Sequence, residues 1–318
     1  MSNKLKFAFY WACSCGGCEV AVLDIHEKIL DVIKIADIVF WPCAMDFKYT
    51  DVEAMDDKSI DVCFFNGGIR NSEHEHIAKL LRQKSKTLIS FGSCAHLGGV
   101  PGLANFYKTS ELFDRAYLET ESTDNPNKIL PKTKVNVPEG ELELPKVFER
   151  LRALHQVVDV DYYLPGCPPP ANTIAKAVEL IATGKLPPKG TVIAGASSVC
   201  DECSRDRKEK RISKIYRYHE ITPKFEECLF DQGIICMGPA TRSGCEGQCT
   251  TTNIPCRGCF GPAEGVADIG SKMISALASV LDVEDEATAQ KMSDEVLDPA
   301  GLMYTFSLPT SMLKGKRD

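Results

Sequence analysis

Fifteen cysteines in 318 residues constrain this chain more than any other feature. So many thiols serve either a disulfide framework in an oxidising compartment or metal centres in a reducing one. The chain opens Met1-Ser-Asn-Lys-Leu-Lys-Phe and enters a strand-like run at once. It shows no charged region followed by an apolar run and a small-residue cleavage site, and no twin arginine. No stretch approaches 18 consecutive apolar residues, so no membrane span is expected. The expectation is a cytoplasmic protein with reduced thiols, most of them metal ligands. A hydrophobic fraction of 44% allows an ordinary core. A net charge of −7 argues against a nucleic-acid partner, which would call for a basic face.

The first half alternates short apolar runs with helical periodicity. Strands are expected at Leu5–Trp11, Ala36–Trp41, Ile60–Phe65, Thr87–Phe91 and Val158–Leu164. Helices are expected at Glu19–Leu30, at Ser72–Lys84 with Ser72 and Glu75 in capping-box spacing, and at Asn172–Thr183. This pattern indicates an α/β fold with a doubly wound, mostly parallel sheet, whose ligands gather beyond the carboxyl ends of the strands. Residues 106–144 read as a surface insertion. Leu186-Pro-Pro-Lys-Gly190 reads as a boundary between a domain of residues 1–185 and one of residues 186–318. In the second, residues 200–262 are rich in Cys, Gly and Pro with little periodicity. An irregular fold around inorganic centres is expected there, followed by a helix near Gly270–Leu281.

The cysteines fall into sets. Cys15 and Cys18 follow the first strand, Cys94 the fourth and Cys167 the fifth, so four thiolates converge at one sheet edge. Eight more, Cys200, Cys203, Cys228, Cys236, Cys245, Cys249, Cys256 and Cys259, serve two further four-ligand sites. Spacing alone leaves 4Fe–4S clusters or tetrahedral zinc open. The gap from Cys228 to Cys236 and the spread of the first set over three strand ends are unlike compact zinc sites. Cys63, mid-strand, reads as a small buried hydrophobe, Cys43 as a structural thiol, and Cys13 as lining the first site.

The wording and order of five motifs resemble the small subunit of nickel–iron hydrogenases. They are Cys15-Gly-Gly-Cys18-Glu19; Gly92-Ser-Cys94-Ala95 with Gly98-Gly99; Pro165-Gly-Cys167-Pro-Pro169; Cys236-Met-Gly-Pro-Ala-Thr241 leading to Cys245; and Pro255-Cys256-Arg-Gly-Cys259. The resemblance implies a flavodoxin-like N-terminal domain, a cluster-rich C-terminal domain, and a nickel–iron large subunit as partner. It implies three 4Fe–4S clusters: a proximal one on Cys15, Cys18, Cys94 and Cys167, a distal one on Cys200, Cys203, Cys228 and Cys236, and a middle one on Cys245, Cys249, Cys256 and Cys259. Cys200 stands where the familiar periplasmic pattern has a histidine, and Cys249 adds a fourth middle thiolate where that pattern often has three.

These departures resemble the cytoplasmic hydrogenases of methanogenic archaea, in particular the gamma subunits of the methyl-viologen-reducing branch, which does not reduce the deazaflavin coenzyme. In that branch electrons go on to an accessory (delta-type) iron–sulfur subunit and heterodisulfide reductase. Three other readings stand beside this one: a deazaflavin-reducing relative, a cluster subunit like that of respiratory complex I, and a zinc-stabilised scaffold.

Glu19, beside Cys18, reads either as a proton-relay carboxylate or as an acid placed by the helix dipole. His96 reads as packed, and the remaining histidines as surface or helix-face residues. The run Arg205-Asp-Arg-Lys-Glu-Lys-Arg211 reads as a solvated face or a docking site for the next subunit. In the docking case, charge reversal at Arg205 and Arg207 would weaken assembly. No P-loop or dinucleotide motif is present, so no nucleotide or flavin is expected.

Overall fold

A computed structural model describes residues 4–208 and 211–315. Five parallel strands form the central sheet: Leu5–Trp11, Ala36–Phe40, Ile60–Asn66, Ser85–Phe91 and Tyr162–Leu164. Numbered along the chain, they lie in the order 2-1-3-4-5, the flavodoxin-like arrangement. Both faces are apolar because both are covered. Phe7, Phe9, Phe64 and Phe91 pack on one side, Phe40, Phe65, Leu81 and Leu88 on the other.

The register aligns the strand ends. Trp11 pairs with Asn66, Asn66 with Phe91, and Phe91 with Leu164. The last residues of four strands therefore form one row. The loops that carry Cys15, Cys18, Cys94 and Cys167 leave from that row, and this is what gathers the first set.

Several local expectations changed. The helix expected at Glu19–Leu30 is Gly17–Leu23, a turn at His26–Lys28, and a second helix at Ile29–Ile35. Ile25 is buried in the sheet cluster and His26 takes a φ of 54°, so the chain turns there. The helix Ser72–Lys84 is as expected, but its cap is Asn71, whose side chain accepts the His74 N–H at 2.8 Å. The last strand begins only at Tyr162. The Asp161 carboxylate takes the Leu88 N–H that a longer strand would have paired, at 2.8 Å. A short antiparallel pair, Ile69–Asn71 with Val147–Arg152, was not foreseen. Within 106–144 lie the helix Thr109–Asp114 and the exposed hairpin Lys134–Val137 and Gly140–Glu143.

Asp161 also receives Arg82 and Lys189, each at 2.6 Å, which secures the strand leading to Cys167. Burial alone would raise this carboxyl, but hydrogen bonds from Lys189, Arg82 and the Leu88 amide outweigh it and hold it low. A carboxyl depressed in the folded state stabilises the protein above the unfolded value of about 3.9. That contribution is lost as pH falls through the lower folded value. Asp161→Asn is therefore expected to lower the melting temperature at neutral pH and to flatten its decline on acidification. Parallel melts of both proteins across acid pH check this.

Residues beyond about 190 have an apolar core of their own, contrary to the expectation of a segment held by inorganic centres alone. Ile212, Ile215, Leu229, Ile234, Met273 and Leu308 meet there, with Cys236 and Cys256 at its margin. The helix Ile269–Val280 covers it, capped by Asp268 accepting the Ser271 N–H at 2.8 Å. Met273 comes from that helix, but Ile212, Ile215, Leu229 and Ile234 come from irregular segments, so no periodicity announces them. Among the described residues no helix is long and apolar enough to cross a membrane.

Candidate metal centres

The four thiols at the sheet edge are mutual neighbours. Burial pushes Cys18 up strongly, and Cys94, Cys167 and Cys15 add to it. Burial, then Cys167, Cys15 and Cys13, push Cys94 up to about 12. Cys18 and Cys94 are buried while Cys15 and Cys167 are exposed, and thiols so close cannot all ionise unless a cationic centre compensates, which is the chemistry of a metal site. Glycines keep the space over these sulfurs open. A Cβ on Gly92 (φ 84°) would strike Cys18 Sγ, and one on Gly99 (φ 59°) would strike Cys94 Sγ. Both positions also demand the left-handed backbone that glycine adopts freely.

The second set lines a cavity of about 230 Å³ that holds Cys200, Cys203, Cys228 and Cys236. Burial first, then Cys236, pushes Cys200 up to about 12, with Cys228 and Cys203 adding and Arg207 opposing. Burial pushes Cys236 to about 11 against the N–H groups of Gly238 and Cys256. In the third set Cys259 is pushed up to about 12 by burial, then by Cys249, Cys167 and Cys245. Burial, then Cys236, raises Cys256, with Cys259 adding.

These neighbour relations give the sets a spatial order. Cys259 and Cys249 of the third set face Cys167 of the first. Cys256 of the third set faces Cys236 of the second, and its N–H donates to Cys236 Sγ at 3.2 Å. The third set along the chain thus lies between the other two. The donor chemistry fits iron–sulfur clusters: thiols only, in fours, with amide donors and glycine cradles around them. Among the described residues no three His, Cys, Asp or Glu side chains are drawn together as one metal ion would require. A cluster's ligand sulfurs sit on separate irons and stand further apart.

Glu19 is buried, 6% exposed. Its carboxylate accepts Trp41 Nε1 at 2.5 Å, Asn66 Nδ2 at 3.4 Å and the Cys43 thiol at 3.6 Å. Burial raises its pKa, and these hydrogen bonds oppose the rise. Glu19 is in the first turn of Gly17–Leu23, as the dipole reading expects, but its partners come from two strand ends, which a dipole does not require. Trp41 and Asn66 carried no motif, so sequence reasoning missed them. Cys63 is fully buried mid-strand, Cys43 is exposed at the surface, and Cys13 stands beside Cys94. His96 packs on Tyr163 with ring centres 4.7 Å apart, its pKa held near 3 by burial first and then by His155 and Arg242.

Arg205 is corrected. It does not lie on a solvated face but is 7% exposed. Its guanidinium donates to the carbonyls of Thr250, Lys224 and Glu227 at 2.8, 3.0 and 2.9 Å, and to Asn253 Oδ1 at 2.6 Å. Charge reversal there would disrupt the fold rather than report on docking. Arg207 is exposed at the cavity rim. Glu209 and Lys210 of the same run lie outside the described residues. Glu202, also missed, accepts the N–H groups of Gly244 at 2.6 Å and Glu246 at 3.0 Å, tying the Cys200–Cys203 loop to that of Cys245.

Known proteins resemble the chain along its whole length. Residues 15–181 match the family described as NADH ubiquinone oxidoreductase, 20 Kd subunit. The iron–sulfur subunit of the F420-non-reducing hydrogenase of Archaeoglobus profundus is 42% identical, with 98% of each chain covered. The corresponding F420-non-reducing hydrogenase subunit of Methanothermobacter thermautotrophicus is 37% identical over 99% of this chain and 98% of that one. Among solved structures, a chain of an NAD+-reducing [NiFe]-hydrogenase superposes with a TM-score of 0.50 at 27% identity, covering 58% of this chain and 94% of that one. A chain of the [NiFeSe] hydrogenase of Desulfovibrio vulgaris Hildenborough superposes at 0.53 over 82% of this chain and 94% of that one; at 16% identity this shows the fold alone. The chain belongs to the family of F420-non-reducing hydrogenase iron–sulfur subunits, within the wider 20 Kd-subunit family, and is an oxidoreductase component of a hydrogenase complex acting on dihydrogen.

Proposed function

We propose that this chain is the electron-transfer small subunit of a cytoplasmic nickel–iron hydrogenase, holding three 4Fe–4S clusters. Cys15, Cys18, Cys94 and Cys167 would hold the proximal cluster, Cys245, Cys249, Cys256 and Cys259 the middle one, and Cys200, Cys203, Cys228 and Cys236 the distal one. When bound, each cluster supplies one-electron redox chemistry at low potential. The chain's own residues would hold the ligands in series and set hydrogen bonds on the sulfurs. The observation that carries this reading is the spatial order of the thiol sets, with the third between the first and second. A route from the sheet edge to the second cavity follows from that order. Residues 1–185 would carry the proximal site and residues 186–318 the other two.

A large-subunit partner docking at the proximal end is supported by exposed apolar side chains beside Cys15 and Cys18, namely Trp11, Val20 and Leu23. Glu19 would take and return protons on that side, its buried carboxyl being poised toward the protonated form. The basic rim at the second cavity, Arg207 with Arg211, suits an acidic face of an accessory iron–sulfur subunit. The onward link to heterodisulfide reductase rests on the family resemblance.

The test is iron and acid-labile sulfide analysis after anaerobic purification. About twelve of each per chain, with absorbance that bleaches on reduction, is the expected result. About eleven irons would mean that Cys249 is not a ligand. Zinc without sulfide would overturn the electron-transfer reading.

A further inference from the structure

Ser93 lies between Gly92 and Cys94 at the start of the turn Ser93–Leu97 and is 1% exposed. Its N–H donates to the Gly166 carbonyl at 2.8 Å, next to Cys167. Its hydroxyl donates to the Cys259 carbonyl at 2.5 Å. One residue thus joins two residues of the first set to one of the third, and the bond to Cys259 is the one its side chain makes. It is covalently next to Cys94, its backbone N–H donates to the Gly166 carbonyl of the Cys167 loop, and its hydroxyl donates to the Cys259 carbonyl. The Cys167 amide, for its part, lies against the Cys259 sulfur. The second junction has the same form: the Cys256 amide donates to Cys236 Sγ. At each junction a ligand residue, or its immediate neighbour, gives a hydrogen bond to a ligand residue of the adjoining set.

Nothing else about Ser93 requires a hydroxyl. A buried alanine would fill nearly the same space, and the part-buried Cys259 carbonyl would then lose this partner. Electronic coupling between two centres falls off more slowly along bonds and short hydrogen bonds than across a gap. A hydrogen-bonded seam therefore fixes both the separation of the centres and the coupling between them.

We propose that Ser93 is a positioning residue that holds the Cys259 end of the middle set against the proximal set and supplies a bonded route between them. The inference rests on the three-cluster reading and deepens it. With clusters held by Cys15, Cys18, Cys94 and Cys167 and by Cys245, Cys249, Cys256 and Cys259, the chemistry served would be the transfer of one electron, lost by the first and gained by the second, while the hydroxyl proton would stay on Ser93.

The experiment uses the complete hydrogenase complex. Ser93→Ala, Ser93→Cys and Ser93→Thr are mixed with dihydrogen, and reduction of the middle cluster is followed by freeze-quench electron paramagnetic resonance. Ser93→Ala is expected to slow that reduction several-fold with iron, sulfide and proximal potential unchanged. Ser93→Thr, which keeps the hydroxyl, should retain the rate. Wild-type kinetics in a fully loaded Ser93→Ala complex would overturn the inference. If Ser93→Ala fails to load the middle cluster, Ser93→Cys decides, because it keeps the volume with a much weaker donor. A slowed rate supports the role, and an unchanged rate rejects it. Failure of the three-cluster reading itself would show separately, as missing iron and sulfide in the unsubstituted protein.

Discussion

Replacing Cys94 with alanine is expected to remove about four of about twelve irons and to abolish dihydrogen-dependent dye reduction by the complex. Cys94 follows the strand Ser85–Phe91 directly, is 7% exposed, and has Cys18, Cys167 and Cys15 as electrostatic neighbours. With one thiol gone, the remaining three leave an iron without a protein ligand at the first centre on the proposed route. Outer-shell changes at metal sites already cost 10–100-fold, so loss of a ligand should cost at least about 100-fold in activity. Cys63→Ala is the matching control. Cys63 is 0% exposed in the strand Ile60–Asn66, between Val62 and Phe64, and faces none of the three sets. Its loss should cost about 1 kcal/mol of stability through a small cavity and leave the iron count unchanged. Iron, sulfide and dye-reduction assays on the two variants side by side separate a ligand thiol from a packing thiol. Full iron in Cys94→Ala would remove it from the ligand set.

Arg205→Ala is expected to be the most damaging change outside the cysteines. The guanidinium donates to the carbonyls of Thr250, Lys224 and Glu227 and to an amide oxygen, and stacks 5.3 Å from the centre of the Phe225 ring. Its acceptors flank two of the proposed ligands: Glu227 precedes Cys228, and Thr250 follows Cys249. Hydrogen bonds from a charged donor are worth about 1.5–3 kcal/mol each, and four are lost together, while Gln232 Nε2 still reaches the Lys224 and Glu227 carbonyls and the Asn253 N–H the Thr250 carbonyl. The loss should exceed about 3 kcal/mol and should deplete the distal and middle irons while sparing the proximal four. Arg205→Lys should fare little better, because one ammonium cannot reproduce a planar fork that reaches four acceptors. Thermal melts with cluster absorbance check both variants. Intact distal and middle clusters in Arg205→Ala would show that those loops are held by their sulfurs alone.

Much of this protein is legible in its amino-acid order. Apolar runs of five to seven residues separated by amphipathic helices specify a parallel sheet, because only strands buried on both faces tolerate such runs. Cysteines placed directly after those runs specify where the first site lies, because loops of a doubly wound sheet share one edge. The motifs of Cys15–Glu19, Gly92–Ala95 and Pro165–Pro169 carry the family resemblance in its first half. Chain order could not tell that the last four cysteines stand between the other two sets. Proximity of Cys259 to Cys167 and of Cys256 to Cys236 is a property of long-range packing, and no local spacing encodes it.

The same reason hid the partners of Glu19. Trp41 and Asn66 are 22 and 47 residues away along the chain and meet it only when two strand ends align beside a helix. Arg205 misled for the opposite reason. A run of charges is normally solvated, and only the fold of the surrounding loops turned one guanidinium inward onto the carbonyls of Thr250, Lys224 and Glu227. Local patterning was enough for the sheet and for the strand ends from which the Cys15, Cys18, Cys94 and Cys167 loops leave, because each is written in residues close together along the chain or in runs of fixed period. The series of sites, the carboxylate network and the bonded seam at Ser93 belong to the folded chain, because they arise where distant segments exchange hydrogen bonds.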